Sequence, residues 1–258
     1  MTKRKIALTR GISASIDRCE VSFIDRVPID VQKMKQQHRA YEEMLQSMGY
    51  EVIQIPADDS CPDCCFIEDT ALVLDEIAVI THPGSTARRA EVRGVVSTIE
   101  KFRKTVKIEP PATLEGGDVL RIGRNLYVGL TQRTNVEGVG ALRKLVAPYG
   151  YTVTAVPTPG ALHMKSVCTA ANDRTVVADP TRMDVSVFAN YDVVEISPEE
   201  WMGGDLLPIN GTVCMIEGFP KLKSALEGRG LNVRTLNMSE FMKAEAGLTC
   251  LSLLFEES

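Results

Sequence analysis

Positive charge gathered into a stripe is missing from this sequence. Its 29 Lys and Arg residues are scattered among 34 Asp and Glu, and the formal net charge is -5. The electrostatic footprint of a nucleic-acid binder is therefore lacking, and a small cationic ligand suits the balance better. Long apolar runs are missing too: the longest stretches reach about ten residues, roughly half of what a bilayer crossing needs. The opening MTKRKIALTR carries no signal-peptide apolar core. A cytoplasmic protein with no membrane partner is expected. Seven cysteines, an odd number spread over 258 residues, argue against a disulfide framework and for reduced thiols. Cys61, Cys64 and Cys65 have a spacing that suits zinc, but no second pair at matching spacing follows and Pro62 and Asp63 interrupt the cluster, so no metal is expected. No linker rich in Gly, Ser or Pro divides the chain, and one domain over residues 1–258 is expected.

What is present is a repeat. An extended segment or hairpin, an amphipathic helix and a further strand recur along the chain. The first copy reads as a strand over 5–9, a helix over 31–48 and a strand over 51–55. The second has strands over 69–74 and 77–81, a helix over 88–104 and a strand over 106–108. The third has strands over 118–122 and 126–129, a helix near 136–148 and a strand over 152–156. The fourth has strands near 165–170 and 175–178, a helix near 181–189 and a strand over 193–196. The fifth has strands over 206–209 and 213–216, a helix near 220–228 and a strand over 233–235. A last strand covers 248–255. Five units of about 45 residues, each unable to bury its own apolar face, are expected to pack around a shared axis as an α/β fold. An open α/β sheet is the alternative on pattern alone.

A thiol becomes a nucleophile only when a base or a positive charge makes it a thiolate, which puts weight on the three histidines. His38 sits among polar residues of a helix and His82 ends a strand before Pro83-Gly84. His163 follows Pro159-Gly160-Ala161-Leu162 at the start of a repeat unit, where a side chain can project into a central cleft. Cys19, Cys168 and Cys214 read as buried apolar residues. Cys250 stands in Gly247-Leu248-Thr249-Cys250, where the last strand begins. Glu68-Asp69 opens one unit, and Glu115 precedes Gly116-Gly117-Asp118 at the same point of the next. Acids gathered at one mouth bind a guanidinium bidentately, and Arg88-Arg89 and Arg133 are the complementary candidates for a substrate carboxylate.

In order and spacing, these pieces resemble the dimethylarginine dimethylaminohydrolase family of the guanidine-modifying pentein superfamily. The match runs essentially end to end. It is carried by Pro62-Asp63 with Phe66-Ile67-Glu68-Asp69, by Pro83-Gly84 with Arg88-Arg89, and by Thr113-Leu114-Glu115-Gly116-Gly117-Asp118. Val128-Gly129-Leu130 with Arg133-Thr134-Asn135, Leu162-His163-Met164-Lys165-Ser166 and Leu248-Thr249-Cys250 complete it. The resemblance implies a five-bladed ββαβ propeller with pseudo-fivefold symmetry around a central substrate channel. It implies hydrolysis of methylated arginine to citrulline and a methylamine without a cofactor. By position, Cys250 looks like the nucleophile, His163 the general acid and base, and Glu115 the carboxylate that orients the imidazole. Asp69, supported by Glu68, is expected to hold the guanidinium, and Arg88 and Arg133 the α-carboxylate. Asp63 and the main-chain carbonyls of Ile16 and Ala244 are expected near the α-amino end. Zinc captured by Cys250 and His163 is a further expectation, as inhibition and not as a cofactor.

The sequence departs from the family where Leu is common at Ile16 and Val- or Ile-Asp-Gly at Ala244-Glu245-Ala246, and Ser22–Asp30 is expected to reshape the N-terminal loop that the resemblance implies is a gate. An arginine deiminase-like activity, or hydrolysis of another N-substituted arginine, stays open beside the methylarginine reading. So do a non-catalytic protein that binds an arginine derivative, a homodimer, and a macromolecule-binding pentein.

Overall fold

The computed structural model describes residues 3–257; Met1, Thr2 and Ser258, the limits of the expected domain, lie outside the described residues. Strand β1 (Lys5–Arg10) pairs in parallel with β2 (Tyr50–Ile55) across helix α1 (Val31–Ser47). The next unit is the hairpin β3 (Ala71–Val73) and β4 (Ile77–Ile80), helix α2 (Val92–Ile99), and β5 (Lys104–Lys107) parallel to β4. β6 (Val119–Ile122), β7 (Asn125–Leu130), α3 (Val136–Val146) and β8 (Thr152–Pro157) repeat that order. So do β9 (Cys168–Ala170), β10 (Thr175–Ala178) and β11 (Asp192–Glu195), and then β12 (Leu207–Ile209), β13 (Thr212–Ile216), α4 (Pro220–Glu227) and β14 (Asn232–Leu236). Helix α5 (Ser239–Met242) leads to β15 (Leu253–Glu256), which pairs antiparallel with β1, Ile6 opposite Phe255 and Leu8 opposite Leu253. The C-terminal strand thus supplies the first unit's missing strand, and the result is five three-stranded sheets.

The middle strands β4 and β10 are buried on both faces, which is why they read as near-continuous apolar runs. In β4, Ala78 and Ile80 pack with Ile6, Leu8 and Leu253 of the first sheet, while Ile77 and Val79 turn the other way to Leu126, Val128 and Leu142. Alternation across a strand thereby joins each unit to both neighbours. The same division puts Leu120 with Val176 and Phe188, Val177 with Val213 and Met215, and Cys214 with Tyr41, Met44 and Leu45. Five apolar clusters between neighbouring sheets replace one central core, and the axis is left free for polar groups. Helix starts are locally encoded. The Asp30 carboxylate accepts from the Lys33 amide at 3.0 Å, and the Asn135 side chain accepts from Gly138 at 2.8 Å.

Two helices and four strands differ from expectation. The helix expected over 88–104 is a 3-10 turn, Ala87–Glu91, followed by α2. In the fourth unit the helix near 181–189 shrinks to a 3-10 turn, Val185–Phe188. There Asp184 bonds the Ser186 amide at 2.9 Å, and the β-branched Val185 and Val187 add little helix propensity. The strands expected to open at Asp69, Asp118, Lys165 and Leu248 begin later. Each is preceded by a 3-10 turn: Ile67–Thr70, Gly116–Asp118, Met164–Ser166 and Thr249–Leu251.

Candidate active site

Those 3-10 turns meet around the axis and bring the candidate side chains together. Glu68 and Asp69 lie inside the first, Glu115 and His163 stand immediately before the second and third, and Cys250 lies inside the last. Asp205 immediately follows the corresponding turn of the remaining unit, Pro198–Gly204. One cavity is lined by Cys250, His163, Asp69, Glu68, Asp63, Arg88, Arg133 and Ala244, with Glu115 fully buried behind the histidine.

His163 Nε2 is 2.7 Å from Glu115 Oε2 and 3.6 Å from Asp69 Oδ1. The imidazole rests on Gly117: a Cβ there would come within 2.5 Å of Nδ1, so only glycine admits the ring. Gly117→Ala is expected to displace the imidazole and cut turnover at least about tenfold while the fold persists; steady-state rates and far-UV circular dichroism on one preparation check this. Burial favours the neutral ring, but the carboxylates of Asp69, Glu115 and Asp118 outweigh it and raise the His163 pKa to about 9. A pKa raised on folding stabilises the fold fully below the unfolded value near 6.5 and ceases to as pH rises through about 9. Thermal melts of wild type and His163→Ala are therefore expected to converge between those limits.

Asp69 is also buried, which pushes its carboxyl upward. His163, the Arg88 guanidinium and the Gly117 amide at 2.8 Å overcome that and hold it below the usual carboxylate range. Arg88 is spoken for on every side. It bonds Asp69 through Nη1, Glu91 Oε2 at 2.8 Å and the Phe66 carbonyl at 2.9 Å through Nη2, and Glu91 again through Nε. Removing it would strand buried carboxylates at a cost of about 3–5 kcal/mol. Glu68 takes the Lys165 ammonium on one oxygen and the Thr249 hydroxyl at 3.0 Å on the other, and burial lifts its pKa to about 7 against the pull of Lys165. Burial likewise lifts Asp63 to about 6, against Arg88 and the Glu20 amide. Cys250 is partly exposed and its sulfur accepts from the Gly247 amide at 3.5 Å. Burial raises its pKa well above the ordinary thiol value, and the neighbouring acids Asp205, Glu68 and Asp69 oppose the thiolate further wherever they are ionised.

Ile16 does not reach the cavity. Its side chain is buried among Tyr41, Met44 and Leu248, and its carbonyl accepts from the Cys19 amide at 3.0 Å. The N-terminal loop reaches the cavity instead through Glu20 and Phe23. Glu20 Oε2 lies 2.8 Å from Arg133 Nη1, and its Oε1 takes the Ser85 hydroxyl at 2.7 Å. The Glu245 carboxylate, on a residue with φ +55°, accepts from the backbone amides of Ser22 and Phe23 and ties this loop to the Cys250 loop. Among the described residues, the side chains that converge as a metal could require are Asp69, Glu115 and His163; Cys250 stands outside that group, as does the Cys61, Cys64 and Cys65 cluster. Cys64 Sγ instead contacts the carbonyls of Gly11 and Asp58. No described helix is long and apolar enough to cross a membrane.

A model of the eukaryotic N,N dimethylarginine dimethylhydrolase family matches residues 9–186. The N(G),N(G)-dimethylarginine dimethylaminohydrolase of Streptomyces coelicolor is 37% identical over 256 residues, 98% of either chain. That of Pseudomonas aeruginosa is 30% identical over 228 residues, 88% of this chain and 90% of the other. A solved Pseudomonas aeruginosa structure, a cysteine-to-serine mutant complexed with citrulline, superposes with a TM-score of 0.93 at 27% identity, covering 99% of this chain and 100% of that one.

Proposed function

The chain belongs to the dimethylarginine dimethylaminohydrolase family, a group of pentein-fold hydrolases acting on amidine C–N bonds, and on that premise we propose how its residues turn methylated arginine and water into citrulline and a methylamine. The observation that carries the proposal is the convergence of a thiol, a carboxylate-bound imidazole and an acid cluster on one cavity.

Asp69, with Glu68 beside it, receives the substrate guanidinium. Arrival of that cation offsets the carboxylates that oppose ionisation of Cys250, so the thiol loses its proton to solvent as substrate binds, His163 being already protonated. The thiolate attacks the central guanidinium carbon. His163, already protonated and held by Glu115, gives its proton to the departing methylamine nitrogen, and the C–N bond breaks to leave an S-linked thiouronium. The now neutral imidazole takes a proton from water as the hydroxide adds to the same carbon, and the C–S bond breaks as the added hydroxyl loses its proton to the departing sulfur, giving citrulline, the resting thiol and a protonated His163.

At the other end of the substrate, Arg133 takes the α-carboxylate as Glu20 yields its place. Asp63, Glu20 and the Ala244 carbonyl receive the α-ammonium. Arg88 was expected to share the carboxylate, but its bonds to Asp69 and Glu91 fit it better to holding Asp69 in place. Arg133→Ala is expected to raise KM at least about tenfold with a much smaller change in kcat, because that contact is made alike in ground and transition states. The five units act as one catalytic domain. A cytoplasmic setting belongs to the proposal, supported by seven free thiols, as does a homodimer. The test is citrulline release from asymmetric dimethylarginine, monomethylarginine and arginine side by side. Release from the methylated substrates supports the reading; release from arginine alone replaces it with a deiminase.

A further inference from the structure

Behind Cys250 lies a chain of polar groups that the chemistry above leaves unused. Asp205 is buried and accepts from the Thr249 amide through Oδ1 at 2.9 Å, while its Oδ2 lies 3.0 Å from the Thr249 hydroxyl. The same hydroxyl lies 3.0 Å from Glu68 Oε2, and Glu68 Oε1 faces the Lys165 ammonium. A hydroxyl carries one hydrogen and donates one bond. Two ionised carboxylates around it would leave one oxygen–oxygen contact with no proton between, in a buried setting where that is expensive. The line from Asp205 through Thr249 to Glu68 therefore needs one proton more than the ionised groups supply.

Counter-charge decides where it sits. Glu68 has Lys165, whereas no ion pair to Asp205 is seen among the described residues. With the proton on Asp205, every group is satisfied: Asp205 Oδ2–H donates to the Thr249 oxygen, the Thr249 hydrogen goes to Glu68, and Glu68 stays charged against Lys165. The reverse arrangement would leave the Lys165 cation facing a neutral acid. We infer that Asp205 is a neutral, proton-bearing acid in the resting protein, a positioning residue that fixes the Thr249–Leu251 turn and spares Cys250 a neighbouring negative charge.

The surroundings agree. Burial raises both acids, Glu68 to about 7 and Asp205 in the same direction against the Thr249 amide and Lys165, as a shared proton requires, and an ionised Asp205 would be, after burial, the leading opponent of a Cys250 thiolate. Besides Lys165, Glu68 and Cys250, the titratable groups nearby are Asp69 and Tyr41, whose hydroxyl is held 2.6 Å from Ser252 Oγ. The nucleophile loop is shaped to Asp205: a Cβ on Gly247 would come within 2.2 Å of its Cγ.

The inference rests on Cys250 as nucleophile, and its test separates the two claims. Asp205→Ala is expected to lower kcat at least about tenfold. Asp205→Asn, which accepts and donates where the neutral acid does, is expected to recover kcat to within about threefold of wild type. The pH midpoint of Cys250 alkylation by iodoacetamide, read by peptide mapping, should not move between wild type and Asp205→Asn. A midpoint lowered by about one pH unit or more would mean that the substitution removed a charge, and would overturn the inference. So would an Asp205→Asn protein that is folded and as slow as Asp205→Ala. Infrared difference spectra give a reading independent of turnover: wild type minus Asp205→Asn at neutral pH should show the carbonyl stretch of a protonated carboxylic acid, and its absence contradicts the inference. Failure of wild type to release citrulline from any substrate would instead remove the proposed function and leave the infrared result standing.

Discussion

Replacing Cys250 with serine is expected to abolish citrulline release from dimethylarginine, a loss of roughly 10⁴-fold or more, with the melting temperature nearly unchanged. Serine fills almost the same volume, and the sulfur's one described bond is a long contact from the Gly247 amide, so little packing is at stake. The chemistry has no substitute. A serine hydroxyl is far harder to ionise than a thiol, and the surrounding acids that raise the Cys250 pKa would oppose an alkoxide more strongly still. No other cysteine can take over, since the remaining six are buried. Rates measured at saturating substrate, beside a melting curve, decide it. A variant keeping a tenth of the wild-type rate would remove Cys250 from the chemistry.

His163→Ala is expected to lower kcat by roughly 10²–10⁴-fold, the usual worth of a positioned acid and base. Methylamine is a poor leaving group until protonated, and His163 carries a proton at neutral pH because Asp69, Glu115 and Asp118 outweigh the cost of burying the charge. Its role can be separated from bulk packing with Glu115→Gln, which keeps the shape and a bond to Nε2 but removes a charge. That variant should lower the imidazole pKa and shift the alkaline limb of the kcat profile toward lower pH. An unshifted profile would deny Glu115 its part in holding the charged ring.

The repeat was legible because each unit repeats one order of strands and helix, and burial on both faces makes β4 and β10 near-continuous apolar runs. Strand beginnings were not legible. Residues such as Glu68-Asp69 and Thr249-Cys250 fit an extended segment as well as a tight turn, and only contact between turns around the axis selects the latter. His163, Glu115 and Asp69 could be singled out as candidates because each stands at the start of a unit. The same phase points to Asp205, which follows Gly203-Gly204 just ahead of β12; its role was missed because no motif singled it out. Glu20 had no signal at all. It lies in an irregular loop without periodicity; the family resemblance put Ile16 near the cavity, where the chain brings Glu20 and Phe23.

The most direct test of the account is intact-protein and peptide mass spectrometry on wild-type protein quenched in acid while it turns over dimethylarginine. The account predicts a transient mass increase equal to substrate minus dimethylamine, mapped to the peptide that contains Cys250 and absent from Cys250→Ser. Citrulline release with no adduct, or an adduct on any other residue, would contradict it.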